Sequence, residues 1–172
     1  GFKTTESNYT TIDEYAFMDA TSISKISLAS GLKTISDGAF YGCSELWEIE
    51  IPTTVTYIGK SAFAYCSTLL DIKIPNSITK IEESTFSGCT NLCSITFPSQ
   101  LTVIEDYAFL NCYYLETPLP NGLKSIGEGA FAKSGLSGKV VIPSSVTSIG
   151  ESAFFNCANI REVYISNGIT KV

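Results

Sequence analysis

Six cysteines are the residues in this chain with the most varied chemistry. A thiolate can attack a carbonyl, ligate zinc or pair into a disulfide. Five of them, Cys43, Cys66, Cys89, Cys112 and Cys157, share one slot of a repeating pattern, and Cys93 stands apart. Each chemistry needs partners that the sequence withholds. A thiol nucleophile needs a base, and the chain has no histidine. Zinc needs four converging ligands, and no second pair or histidine completes the acceptable spacing of Cys89 and Cys93. A disulfide wants Cβ atoms about 3.8 Å apart. Equal slots of stacked strands lie roughly 4.8 Å apart with parallel side chains. The expectation is a column of buried, reduced thiols, with Cys93 the accessible one.

A second column carries charge. Glu14, Asp37, Glu83, Asp106, Glu128 and Glu151 each stand three residues before a recurring phenylalanine, with Lys60 in the remaining slot. Stacked carboxylates could hold a cation, yet calcium-binding repeats carry denser Asp/Gly motifs. The simpler expectation is that each carboxylate caps a short helical turn beginning there. A threonine column, Thr56, Thr79, Thr102, Thr147 and Thr170, reads as an outward β-ladder, because β-branched side chains pack well on a pleated surface. No glycine-rich phosphate loop, G-x-S-x-G elbow or H-E-x-x-H motif occurs. Asn8-Tyr9-Thr10 has the form of an N-glycosylation sequon, relevant only in a eukaryotic secretory setting. No catalytic, metal or cofactor site is expected.

Composition points the same way. The chain has 172 residues, 44% apolar and 16% charged, which suits one domain or one array with a buried core. Lys and Arg number 11 against 17 Asp and Glu, a net charge of −6. That balance argues against nucleic acid and anionic membranes, which call for a basic face; the acidic column makes one face negative, which favours basic partner surfaces. No apolar run approaches the roughly 20 residues that cross a bilayer, so direct membrane insertion is not expected.

The elements that position these columns follow from one period. Phe17, Phe40, Phe63, Phe86, Phe109, Phe131 and Phe154 recur every 23 residues, with one gap of 22 between Phe109 and Phe131. An isoleucine stands five residues earlier in each copy, from Ile12 to Ile149. After the phenylalanine comes the cysteine slot, held by Ala20 and Ser134 in two copies, and then the pattern L-x-x-I-x-I-P. Ile49-Glu50-Ile51 and Ile72-Lys73-Ile74 alternate as half-buried strands do, and Pro52, Pro75, Pro98 and Pro143 end such strands. Val55 to Gly59 predicts a second short strand, and Ser61 to Cys66 a helical turn.

A unit this small cannot bury a core alone, whereas stacked copies can, with the phenylalanines as a spine. Residues 1–11 read as an N-terminal tail or partial repeat. Residues 12–172 read as an array of about seven 23-residue units, the outer two incomplete. Val172 falls in an unfinished copy, so a fragment of a longer protein is expected. Leu115 to Pro120 is one residue short and Pro118 removes a ladder donor, which predicts an irregularity there. Gly135-Leu136-Ser137-Gly138 also departs from the pattern.

Leu46 to Cys66 follows L-x-x-I-x-I-P-x-x-V-T-x-I-G-x-x-A-F-x-x-C, and related copies cover almost the whole chain. This resembles the leucine-rich repeats of the BspA-like family. The resemblance implies a right-handed, curved β-solenoid with a parallel sheet on its concave face, and short second strands and helical turns on the other side. It also implies a secreted or cell-surface module linked to adhesion or host-protein binding.

With the core slots committed, recognition falls to the outward strand positions: Lys25, Ser27, Glu48, Glu50, Asp71, Lys73, Ser94, Thr96, Lys139, Val141, Glu162 and Tyr164. They vary in charge and size from copy to copy. Trp47, the only tryptophan, has with Arg161 and Tyr164 the chemistry of a binding anchor. The expected function is a non-catalytic, adhesin-like surface for an extracellular or host protein, or a glycan. The alternative is a structural spacer, or a segment that assembles end to end while another domain does the recognising.

Overall fold

The structure, a computed structural model, describes residues 2–3 and 9–170. The sequon residue Asn8 and the final slot at Val172 lie outside the described residues. In chain order the strands are β1 (Phe2–Lys3), β2 (Thr11–Ile12), β3 (Lys25–Ser27), β4 (Thr34–Ile35), β5 (Glu48–Glu50), β6 (Tyr57–Ile58) and β7 (Asp71–Lys73). There follow β8 (Lys80–Ile81), β9 (Ser94–Thr96), β10 (Val103–Ile104), β11 (Ser125–Ile126), β12 (Gly138–Val141), β13 (Ser148–Ile149) and β14 (Ile160–Tyr164). Each full turn carries a phenylalanine segment, a longer strand and a two-residue strand, except that the turn after Phe109 lacks the longer strand. Every pairing is parallel and joins equal slots, such as Ile26 with Ile49, Ile72 with Ile95 and Ile35 with Ile58. The chain is a parallel β-solenoid of about seven turns.

The core lies between these faces. Ile26, Ile49, Ile72 and Ile95 point inward between exposed or half-exposed neighbours, as the alternation requires. The phenylalanine rings from Phe17 to Phe154 form one stack, with centroids 5.3–5.7 Å apart and ring planes within 2–13°. Phe40, Phe63, Phe86, Phe109 and Phe131 are fully buried.

The expected helical turns are not there: the described residues contain no helix. In every copy the residues two before and two after the phenylalanine take positive φ, for example Ser61 (52°), Tyr65 (60°), Gly38 (60°) and Gly42 (70°). Each left-handed, non-glycine residue costs on the order of 1 kcal/mol. The return is a second use for the backbone. Ala39, Tyr41 and Cys43 close turns within their own copy by donating to Ser36, Gly38 and Phe40, while Gly38, Phe40 and Gly42 donate to Lys60, Ala62 and Ala64 of the next. An α-helix would keep its donors within the copy and leave this side of the stack without backbone bonds between copies.

Two further expectations change. The threonines stand just outside the short strands, and Thr56, Thr102, Thr147 and Thr170 use their hydroxyls to donate to carbonyls of the preceding turn at 3.1–3.4 Å. The aspartates of the acidic column cap no helix. Asp37 Oδ1 accepts the Lys60 N–H at 2.9 Å, and Asp106 Oδ1 accepts the Glu128 N–H at 2.7 Å, so each ties its turn to the next.

The longer strands form three groups, β1-β3-β5, β7-β9 and β12-β14. The shorter ones form two, β2-β4-β6 and β8-β10-β11-β13. Residues 115–120 form no strand, which is the irregularity expected from Pro118. Leu136 follows Phe131 by five residues where the other copies have six, and β12 pairs with β14 through a bulge that leaves Arg161 unopposed.

Candidate binding face

The longer strands set their outward residues in two rows. Lys25 pairs with Glu48 and Ser27 with Glu50; Asp71 pairs with Ser94 and Lys73 with Thr96; Lys139 pairs with Glu162 and Val141 with Tyr164. All are exposed except Glu48, which is half-buried. Lys25 Nζ lies 2.5 Å from Glu48 Oε1, an exposed pair of small energetic weight. Lys139 Nζ sits 3.8 Å from the centre of the Tyr164 ring, and the Tyr164 hydroxyl donates to Glu162 at 3.1 Å. The 115–120 turn divides these positions into a group on β3 to β9 and a group on β12 and β14.

Trp47 is not brought together with Arg161 and Tyr164. It flanks β5, and Arg161 occupies the corresponding slot five turns further on, on the order of 24 Å away at strand spacing. Its neighbours in that slot are Leu70 and Cys93, both exposed, so Trp47 (47% exposed) and Leu70 (46%) make a short apolar row beside the strands. Tyr113 and Tyr114 are exposed in the copy after Cys93. Leu70, Tyr113 and Tyr114 were not singled out by the sequence pattern. For the tyrosines the available signal was a large side chain in slots that the preceding copies fill with Thr21 and Ser22, Ser44 and Glu45, Ser67 and Thr68, and Thr90 and Asn91.

The thiol column is structural. Cys43, Cys66, Cys89, Cys112 and Cys157 are buried and unpaired, and Cys93 is exposed. Each column thiol donates to the carbonyl of the preceding copy's phenylalanine at 3.0–3.2 Å, as Cys66 does to Phe40 and Cys89 to Phe63. Burial pushes the Cys43 thiol up to about 11 and raises Cys66, Cys89 and Cys112 as well. Thiols held neutral are poor nucleophiles and poor metal ligands.

On the opposite side two lysines are paired. Lys60 lies 3.0 Å from Glu83, and Lys80 lies 2.9 Å from Glu82 and 3.5 Å from Glu105. Hydrogen bonding to Glu83 and Glu82 raises both lysines. The Tyr107 hydroxyl donates to Glu128, which pushes it up to about 12. Among the described residues no group of three or more His, Cys, Asp or Glu is arranged to hold a metal ion. No helix among them is long and apolar enough to cross a membrane.

Known proteins share this arrangement. The BspA type leucine rich repeat region matches residues 3–116 and 116–172, in six copies. The chain belongs to the BspA-type leucine-rich repeat family. A leucine-rich repeat protein from Bacteroides ovatus is similar at 31% identity, with a TM-score of 0.81 over 97% of this chain and 50% of that one. One from Eubacterium ventriosum gives 32% and 0.77 over 94% of this chain and 42% of that one. A leucine rich cell surface protein from Faecalibacterium prausnitzii gives 26% and 0.57 over 94% and 59%. No functionally curated protein matches. This chain therefore spans about half the length of the solved leucine-rich repeat proteins it matches.

Proposed function

We propose that this BspA-type array is a non-catalytic recognition module, whose longer-strand face presents outward side chains to a protein or glycan outside the cell. One observation carries the reading. Inward slots repeat from turn to turn, whereas the outward slots pass from Lys25 and Ser27 through Glu48 and Glu50, Asp71 and Lys73, to Val141 and Tyr164. Side chains mounted on a rigid stack lose little freedom on binding. The similar protein from Faecalibacterium prausnitzii is a leucine rich cell surface protein, which supports a surface location.

The test is capture by immobilised extracellular-matrix proteins and glycans, followed by affinity measurement on variants. Trp47→Ala and Tyr164→Ala are each expected to weaken a captured partner about tenfold, while Lys124→Ala, near the short strands, leaves it unchanged. Unchanged affinity in both aromatic variants overturns the assignment of this face. Capture of nothing, with molecular mass that grows with concentration in light scattering, favours a self-assembling spacer instead.

A further inference from the structure

We propose that the interrupted turn at residues 115–120 is a docking slot for an extended, basic peptide segment of a partner protein, which hydrogen-bonds to the open edge of β12. The proposal rests on the recognition role of the longer-strand face and names the class of partner. Pro118 has no N–H to give, and the Ile95 carbonyl of β9 is met instead by the Thr117 hydroxyl at 3.2 Å. On the other side, Ile142 N–H donates to Tyr164 at 2.9 Å. Alternate residues of a parallel strand bond opposite neighbours, so Val140 and Ile142 face β14. Lys139 and Val141 face the 115–120 turn, and among the described residues their N–H and C=O groups make no backbone hydrogen bond there.

Between the two lies a cleft of about 350 Å³, lined by apolar Leu119, Leu136 and Val140 and by polar Glu116, Asn121 and Lys139. Donors and acceptors two residues apart along one edge repeat at about 6.6 Å, the repeat of an extended peptide. Charge selects among such peptides. Glu116 is exposed and has no ion pair among the described residues. The Lys139 ammonium is occupied by the Tyr164 ring, and the chain as a whole carries −6. A lysine or arginine beside an apolar residue fits this rim.

The probe is a mixture of blocked pentapeptides, Lys-Xaa-Val-Xaa-Lys with Xaa Ala, Ser or Thr, added at about 1 mM to the full isotope-labelled chain. Amide hydrogen exchange at Lys139 and Val141 is expected to slow about tenfold. The same peptides with N-methylated backbones are expected to have no effect, and Glu-Xaa-Val-Xaa-Glu a smaller one. Pro118→Val returns a ladder donor to the turn and is expected to abolish the protection. Should that variant fold poorly, Val141→Pro removes an N–H that the fold leaves unused, and the same loss is expected, read at the Lys139 amide. Unchanged exchange at Lys139 and Val141, or equal protection by N-methylated peptides, overturns the slot. If Trp47→Ala and Tyr164→Ala still weaken a captured partner, the slot alone has failed; if they do not while the peptide binds, the recognition face has failed.

Discussion

The phenylalanine side of this solenoid and its longer-strand side answer the same period differently. From Phe17 to Phe131, each phenylalanine N–H donates to the next turn, the rings stack without interruption, and the thiols from Cys43 onward bond back to the copy before. On the other side the ladder is parted between β5 and β7 and again at 115–120. A phenylalanine or a column cysteine is held by two turns at once, and almost any change disturbs both. The longer strands need only their inward isoleucines, which leaves the outward residues free to differ. Stability is concentrated on one side of each turn, and recognition is free to occupy the other.

Alkaline pH tests the held side most severely, because it acts on four buried thiols of the column at once, Cys43, Cys66, Cys89 and Cys112. Burial raises Cys66, Cys89 and Cys112, and Cys43 to about 11, against an ordinary thiol value of 9.0. A raised value in the folded state means that folding favours the neutral thiol. The associated stability is complete below the unfolded value and is lost as pH rises through it towards the folded values. Above roughly pH 9, each deeply buried thiol is expected to cost about 1.4 kcal/mol per pH unit. Urea unfolding at pH 8 and pH 10 measures the slope, and Cys89→Ala should reduce it by one thiol's share. A midpoint independent of pH would show that the column carries no such burden.

Within one turn, Phe86→Ala should open the ring stack at its centre and destabilise by about 3–5 kcal/mol, since Phe86 is fully buried between Phe63 and Phe109. Leu70→Ala, on the exposed row beside the strands, should cost less than about 1 kcal/mol. Equal losses in thermal or denaturant unfolding would erase the distinction between the two sides.

Much of the held side was legible in the sequence, because a column that touches its own copies can vary little. The spine, the thiol ladder, the inward isoleucines and the interruption at Pro118 all follow from letters that repeat or break. The helical turns were misread for a physical reason. Ala-Phe with flanking small residues favours a helix locally, but Tyr15, Ser61, Tyr65 and Lys133 are driven to positive φ so that alternate donors reach the next turn. Gly38, Gly42, Gly88 and Gly129, with Asp19, Asn111 and Asn156, were the hints in the same slots. The outward face was legible as a list of positions but not as an arrangement. The separation of Trp47 from Tyr164, and the bulge at Arg161 that absorbs the early Leu136, depend on how neighbouring turns pair.

The smallest expected effect isolates the left-handed slots themselves. Gly88 has φ +74°, and a Cβ there would lie 2.6 Å from the ring of Tyr65, which occupies the same slot one turn earlier. Gly88→Ala therefore meets two costs, a left-handed alanine and a displaced tyrosine, expected to total about 2 kcal/mol. In a Tyr65→Ala background only the first remains, so the same substitution should cost about 1 kcal/mol. Gly31, in the loop after β3, has open space around its Cα and no positive φ, and Gly31→Ala should change stability by less than about 0.5 kcal/mol. A Gly88→Ala cost that is the same in both backgrounds would mean that the tyrosine does not rest on the glycine. A Gly31→Ala cost as large as that of Gly88→Ala would mean that both sides of the turn are held equally tightly.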